Sequence, residues 1–106
     1  MPGASVVSVG VIIEHRVRPG SRDAVHAVWD ERLRPAIAAN PDHEAYAYMF
    51  DADDPDVIRA FQQYTDSDAA AAFLATPAYA AYVEAVEGLL LGPPTVTRTD
   101  IIWTKE

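Results

Sequence analysis

Tyr64 and Gln62 stand two residues apart in an alternating stretch, so a strand turns both side chains to one face. A phenol at a strand end can donate to a substrate oxygen or stabilise a phenolate, and a carboxamide beside it can orient a polar ligand group. His15 shares its phase with Val7, Val9, Val11, Ile13 and Val17. Titrating near neutrality, it could take a proton from a hydroxyaromatic compound, leaving a carbanion able to reduce oxygen. Arg32 falls inside the apolar stripe of a helical run, where a cation could hold an enolate, carboxylate or phenolate. Its plainer role is to lay its stem over a sheet with the head in water. Tyr64, His15 and Arg32 are the candidate catalytic residues. Gln62, His26, Trp29, Phe73, Tyr79 and Tyr82 are candidates for binding a small aromatic ligand, although aromatics at helical spacing equally serve as core. His43, in a Pro-Asp loop, is assigned no chemistry.

Other chemistries are excluded by composition. The chain of 106 residues has no cysteine, which removes disulfides, thiolate metal sites and Cys nucleophiles. Sixteen acidic residues against eight Lys and Arg give a formal charge of −8, which repels phosphate backbones and argues against nucleic acid. Asp51, Asp53, Asp54 and Asp56 lack the Gly and terminal Glu of a calcium loop and suit a turn. The three histidines have no paired helical spacing, so no metal site is predicted. Neither a membrane-length apolar run nor a signal-peptide layout is present, which predicts a cytoplasmic protein with no membrane partner.

The elements that must position these residues follow from periodicity. Residues 5–18 alternate as a strand apolar on both faces, with Val6, Gly10 and Ile12 opposite the His15 phase, ending at Pro19-Gly20. Ser21 can cap a helix over about 22–39, with Val25, Val28, Trp29, Arg32, Leu33 and Ala36 on one face and a kink at Pro35. Residues 44–51 form a second strand with Tyr46, Tyr48 and Phe50 on one face, and 57–65 a third. A helix start at Asp66 or Ser67 and a second at Thr76-Pro77 follow, the latter with Tyr79, Tyr82, Val83, Val86, Leu89 and Leu90 on one side. Gly92-Pro93-Pro94 closes the helical stretch, and 95–105 is the last strand. Strand, helix, strand, strand, helix, strand is the split βαβ, ferredoxin-like α+β order in one domain. Both helices then cover one face. The other face, apolar and bare, predicts a homodimer with sheets packed face to face.

With these elements placed, the chain resembles the antibiotic biosynthesis monooxygenase family of the dimeric α+β barrel group. The likeness rests on the Val17-Arg-Pro-Gly20 corner, Asp54-Pro55, Tyr64-Thr-Asp66, Phe73-Leu-Ala-Thr-Pro77 with Tyr79, and Trp103. It implies a homodimer with one pocket per subunit that oxidises quinol-like or polycyclic aromatic substrates with dioxygen, without metal, flavin or other cofactor. Several positions depart from the family pattern. Phe73 and Ala78 stand where quinol-type members commonly carry histidines, and Gln62 replaces the usual glutamate. Ala60 and Tyr64 stand where anthrone-oxidising members use Asn and Trp, and Phe73 removes the iron ligand of haem-degrading relatives. These departures motivate two rival expectations on the same fold, a ligand-binding protein without catalysis and an isomerase or cyclase.

Overall fold

The computed structural model describes residues 8–105. Four antiparallel strands, β1 (Val9–Arg16), β2 (His43–Phe50), β3 (Val57–Tyr64) and β4 (Thr95–Asp100), form one sheet in the order β2-β3-β1-β4. Helices α1 (Arg22–Val28), α2 (Arg34–Ala39), α3 (Ser67–Leu74) and α4 (Pro77–Val86) complete the split βαβ arrangement. The predicted fold class is correct. The strand start at Val6 and Val7 lies outside the described residues.

Register explains which side chains share the helix-covered face. Val11 pairs with Gln62, Ile13 with Ala60 and His15 with Ile58, while Tyr46, Tyr48 and Phe50 oppose Gln62, Ala60 and Ile58 from the other side. Alternation therefore turns β1, β2 and β3 toward the helices in the predicted phases. Val11, Ile13, Ile58, Ala60 and Tyr64 from the sheet meet Val25, Trp29, Leu33, Phe73, Tyr82 and Val86 from the helices in one buried cluster.

The first helical run spans the predicted 22–39 but is not uniform. Between α1 and α2, Trp29–Leu33 forms a π-helical turn, with Arg34 N–H bonded to Trp29 O. Pro35 has no N–H to give to the carbonyl four residues back and its ring crowds that carbonyl, so a wider turn just before it relieves the conflict. Ser21 makes no side-chain cap bond, contrary to expectation; its carbonyl instead accepts from Val25 N at 3.0 Å. The later starts hold as predicted. Asp66 Oδ1 accepts from Ala69 N at 2.8 Å, and Thr76 Oγ1 from Tyr79 N at 3.3 Å. Val83 is 43% exposed and leaves the α4 stripe.

Two glycines are required by their surroundings. Gly20 has φ 79, the left-handed conformation that ends the Pro19 turn. A Cβ on Gly10 would lie 2.5 Å from Thr99 Oγ1 and 3.2 Å from the Phe61 ring. The last strand stops at Asp100 rather than at 105: Ile101 N still bonds Ser8 O, but Ile102 and Trp103 are exposed.

The second face has a mixed character. Ile12, Ala45, Ala47 and Met49 are exposed and Phe61 half-buried, while Arg59 joins Glu14 and, at 3.0 Å, Asp51 in an ion-pair network at one end. The acidic turn satisfies itself, with Asp51 Oδ1 accepting from Asp53 N and Asp54 N and Asp54 Oδ1 from Asp56 N. Those bonds, with Arg59, pull the Asp51 carboxyl down to about 2.

Candidate functional site

Between the sheet and the helices lies a narrow, partly open hollow of about 20 Å3. Its floor is Ile13, His15, Ile58, Ala60 and Gln62, its side Tyr46 and Tyr48, and its roof Trp29, Leu33, Phe73, Tyr79 and Tyr82. The room exists because Ala60 sits centrally in β3 with only a methyl group, between Tyr48 on β2 and Ile13 on β1. At this volume it holds one water molecule, whereas a benzene ring needs on the order of 150 Å3. Phe73 also lines a wider groove of about 270 Å3 on the outside, walled by Ala36, Ala39, Asn40, Ala69, Ala72 and Thr76. Phe73 is thus the side chain that the hollow and the groove share.

The two ends of the hollow differ in their hydrogen bonding. At the Gln62 end a directed chain is complete. Asn40 Oδ1 accepts from Asp42 N, which leaves Asn40 Nδ2 to donate to His43 Nδ1 at 3.0 Å. His43 therefore carries its proton on Nε2 and donates to Gln62 Oε1 at 3.2 Å, an assignment made from the network. The Tyr64 hydroxyl donates to the same oxygen. With Oε1 doubly engaged, the carboxamide is fixed. The rings around it are packed closely, with His43 centroids 4.3 Å from Tyr64 and 4.5 Å from Phe73. Burial lowers the His43 pKa, against smaller raising effects of Gln62 and Asp42, and raises that of Tyr64. Both groups stay neutral near pH 7.

At the other end, His15 Nδ1 and the Tyr48 hydroxyl are buried and have no hydrogen-bond partner among the described residues. Burial lowers the His15 pKa and raises that of Tyr48. Tyr46 lies between the two ends, its hydroxyl accepting from Trp29 Nε1 at 3.2 Å; burial pushes its pKa up to about 12.

Of the residues singled out from sequence, His15, Gln62, Trp29, Phe73, Tyr79 and Tyr82 line the hollow. Three do not. Tyr64 lies behind Gln62 with its proton committed there, so it positions the carboxamide rather than donating to a ligand. Arg32 is exposed: the wider π turn delays the helix's return to its inner face by one residue, from Arg32 to the buried Leu33. His26 is exposed and stacks on the outer side of Tyr48, with centroids 5.2 Å apart. Sequence reasoning passed over His43, Tyr46 and Tyr48. The tyrosines were signalled by their shared β2 phase. His43 was hidden, because the register shifts between His43 and Ala45. The extra residue brings His43 onto the face of Tyr46, against simple alternation.

A split βαβ sheet roofed on one face by helices, with an aromatic hollow between the layers, defines a ferredoxin-like α+β domain. The chain belongs to the antibiotic biosynthesis monooxygenase family, whose sequence model matches residues 8–85. Solved structures carry the same fold. Rv0793 from Mycobacterium tuberculosis is 26% identical, with a TM-score of 0.81 over 93% of this chain and 99% of its own. A candidate antibiotic biosynthesis monooxygenase from Chloroflexus aurantiacus J-10-fl is 22% identical, with a TM-score of 0.78 over 93% and 97%. Another from Caulobacter crescentus CB15 is 18% identical, with a TM-score of 0.84 over 92% of each chain. No curated protein matches the sequence. Among the described residues no single helix is long and apolar enough to cross a membrane, and no three His, Asp or Glu side chains group as metal ligands.

Proposed function

We propose that this protein is a cofactor-independent monooxygenase that oxidises a small quinol-like or polycyclic hydroxyaromatic substrate with dioxygen in the hollow beneath its helices. The observation that carries this reading is a buried aromatic chamber with a neutral imidazole at one end and a fixed carboxamide at the other, in a chain of this family. His15 takes a proton from the bound substrate, and Gln62 orients the ring. The resulting carbanion gives its electrons to dioxygen. For an anthrone-type methylene the balance closes: CH2 and O2 become C=O and H2O, one oxygen atom entering the product and the other leaving as water. The substrate supplies all the electrons.

The hollow must enlarge to admit a ring, and Phe73 is the wall that moves, because the small alanines of the outer groove leave it somewhere to swing. The working unit is a homodimer joined through the open sheet face, where Ile12, Ala47, Met49 and Phe61 supply the apolar contact. Ile12→Glu should yield monomers in sedimentation velocity, while a monomeric wild type would contradict the dimer.

Oxygen consumption tests the reaction directly. A panel of hydroquinones and anthrones should give uptake stoichiometric with quinone formed; no uptake with any of them contradicts catalysis. A second reading, binding without turnover, is favoured by the apolar residues Phe73 and Ala60 facing the hollow. It predicts ligand binding with no oxygen consumed. Turnover under nitrogen would point instead to an isomerase or cyclase.

A further inference from the structure

Tyr48 and His15 face the hollow from opposite strands across the Ala60 methyl. Tyr48 on β2 opposes Ala60 on β3, Ala60 opposes Ile13 on β1, and His15 lies two residues beyond Ile13 on the same face. Elsewhere around the hollow, Gln62 Oε1 accepts from His43 and Tyr64, and Tyr46 Oη accepts from Trp29. Here two buried polar atoms, Tyr48 Oη and His15 Nδ1, have no partner among the described residues and belong to residues lining the same space. Leaving such atoms unpaired forfeits their solvation with nothing in return, so their presence calls for an occupant. We propose that Tyr48 and His15 form a two-point clamp for one uncharged hydroxyl group of an aromatic ligand, with Tyr48 a specificity-determining residue.

The chemistry of the two atoms selects that group. A phenol both donates and accepts, and a neutral imidazole nitrogen does one or the other depending on its tautomer. A ligand hydroxyl, which also does both, completes the pair in either tautomer. A carbonyl satisfies the pair only when Nδ1 carries the proton, and a bare arene satisfies neither atom. A carboxylate would bring its charge into a space with no Arg or Lys among its described lining residues: Arg32 is exposed, and Arg22, held by the carbonyls of Asp51, Asp54 and Val57, acts on Tyr48 only as the smallest of the effects on its pKa. Burial keeps both groups uncharged, which suits a neutral partner. The clamp rests on the proposed use of the hollow as the ligand site but not on oxygen chemistry, and it names the feature the substrate must carry.

Anaerobic titration calorimetry on the full chain with 1-naphthol, naphthalene and 1-naphthoate tests it. Wild type should bind 1-naphthol about tenfold or more tighter than the other two. Tyr48→Phe, which removes one oxygen and keeps the ring, should lose about that factor for 1-naphthol and leave naphthalene unchanged. His15→Leu should do the same. If wild type binds 1-naphthol and naphthalene alike, or Tyr48→Phe weakens both equally, the clamp is wrong while the hollow stands as a ligand site. If none of the three binds, the hollow itself is not the site, and the proposed function falls with the clamp. Uptake of oxygen failing while the 1-naphthol preference holds would leave the clamp intact and remove only the oxidation.

Discussion

The two ends of one small chamber have opposite designs. At the Gln62 end, Asn40, His43, Gln62 and Tyr64 form a chain in which each hydrogen bond sets the direction of the next. At the Tyr48 end, two buried polar atoms of residues lining the space have no partner among the described residues. A saturated network makes structure: it fixes side chains and resists change. An unsatisfied pair gives up stability, and a fold retains it where something other than the protein completes it. Under the proposed use of the hollow, the contrast separates residues that hold the site from residues that meet the ligand.

Mutations should therefore cost stability at one end and not at the other. The largest effect is expected for Phe73→Ala, which strips the ring packed on His43 and Tyr64 and should lower unfolding free energy by about 3–5 kcal/mol in urea. The same variant joins hollow and groove, so arenes too bulky for wild type should bind the surviving folded fraction. Gln62→Leu comes next. It strands the Tyr64 hydroxyl and His43 Nε2 together, at about 1–3 kcal/mol for each stranded group. An unfolding midpoint unchanged by Gln62→Leu would mean that the chain of bonds contributes nothing.

A smaller effect should appear with pH. Burial holds the folded-state pKa of both His15 and His43 below the ordinary histidine value near 6.5. The unfolded chain then takes up protons first as pH falls, so their contribution is intact above about 6.5 and declines as pH drops below it. Stability measured between pH 7.5 and 5 should fall, and the fall should shrink in His15→Asn and in His43→Asn. A slope unchanged in both variants would place the titration elsewhere.

Most of this fold was legible because its signals are local and regular. Alternation in β1, β2 and β3, the Asp66 and Thr76 caps and the turn at Gly20 depend on residues close in sequence, and each appears where the pattern puts it. Two of the differences at the site arose at single-residue irregularities. The π turn before Pro35 advances the first helical run by one residue and carries Arg32 out to solvent. The bulge after His43 advances β2 by one residue and carries His43 in. A period argument assumes that no such residue is inserted, and one insertion reverses which face a side chain takes. Tyr64 failed for another reason: its place in the strand was right, but only a three-dimensional partner, Gln62 Oε1, shows that its proton is already used. Tyr48 was placed on the right face, and its importance lies in having no protein partner, which periodicity does not report.

The smallest change in stability belongs to the variant with the most to say about function. Tyr48→Phe removes a buried hydroxyl with no partner among the described residues, so unfolding free energy should stay within about 0.5 kcal/mol of wild type or rise. The most direct measurement is the rise in unfolding midpoint that saturating 1-naphthol produces in wild type and in Tyr48→Phe, because a ligand that binds only the folded state stabilises it according to its affinity. A clear rise in wild type, largely lost in a variant equally stable without ligand, is the predicted result. An equal rise in both, or a Tyr48→Phe protein destabilised by more than about 1 kcal/mol before any ligand is added, would contradict a division between an end that builds the site and an end that binds.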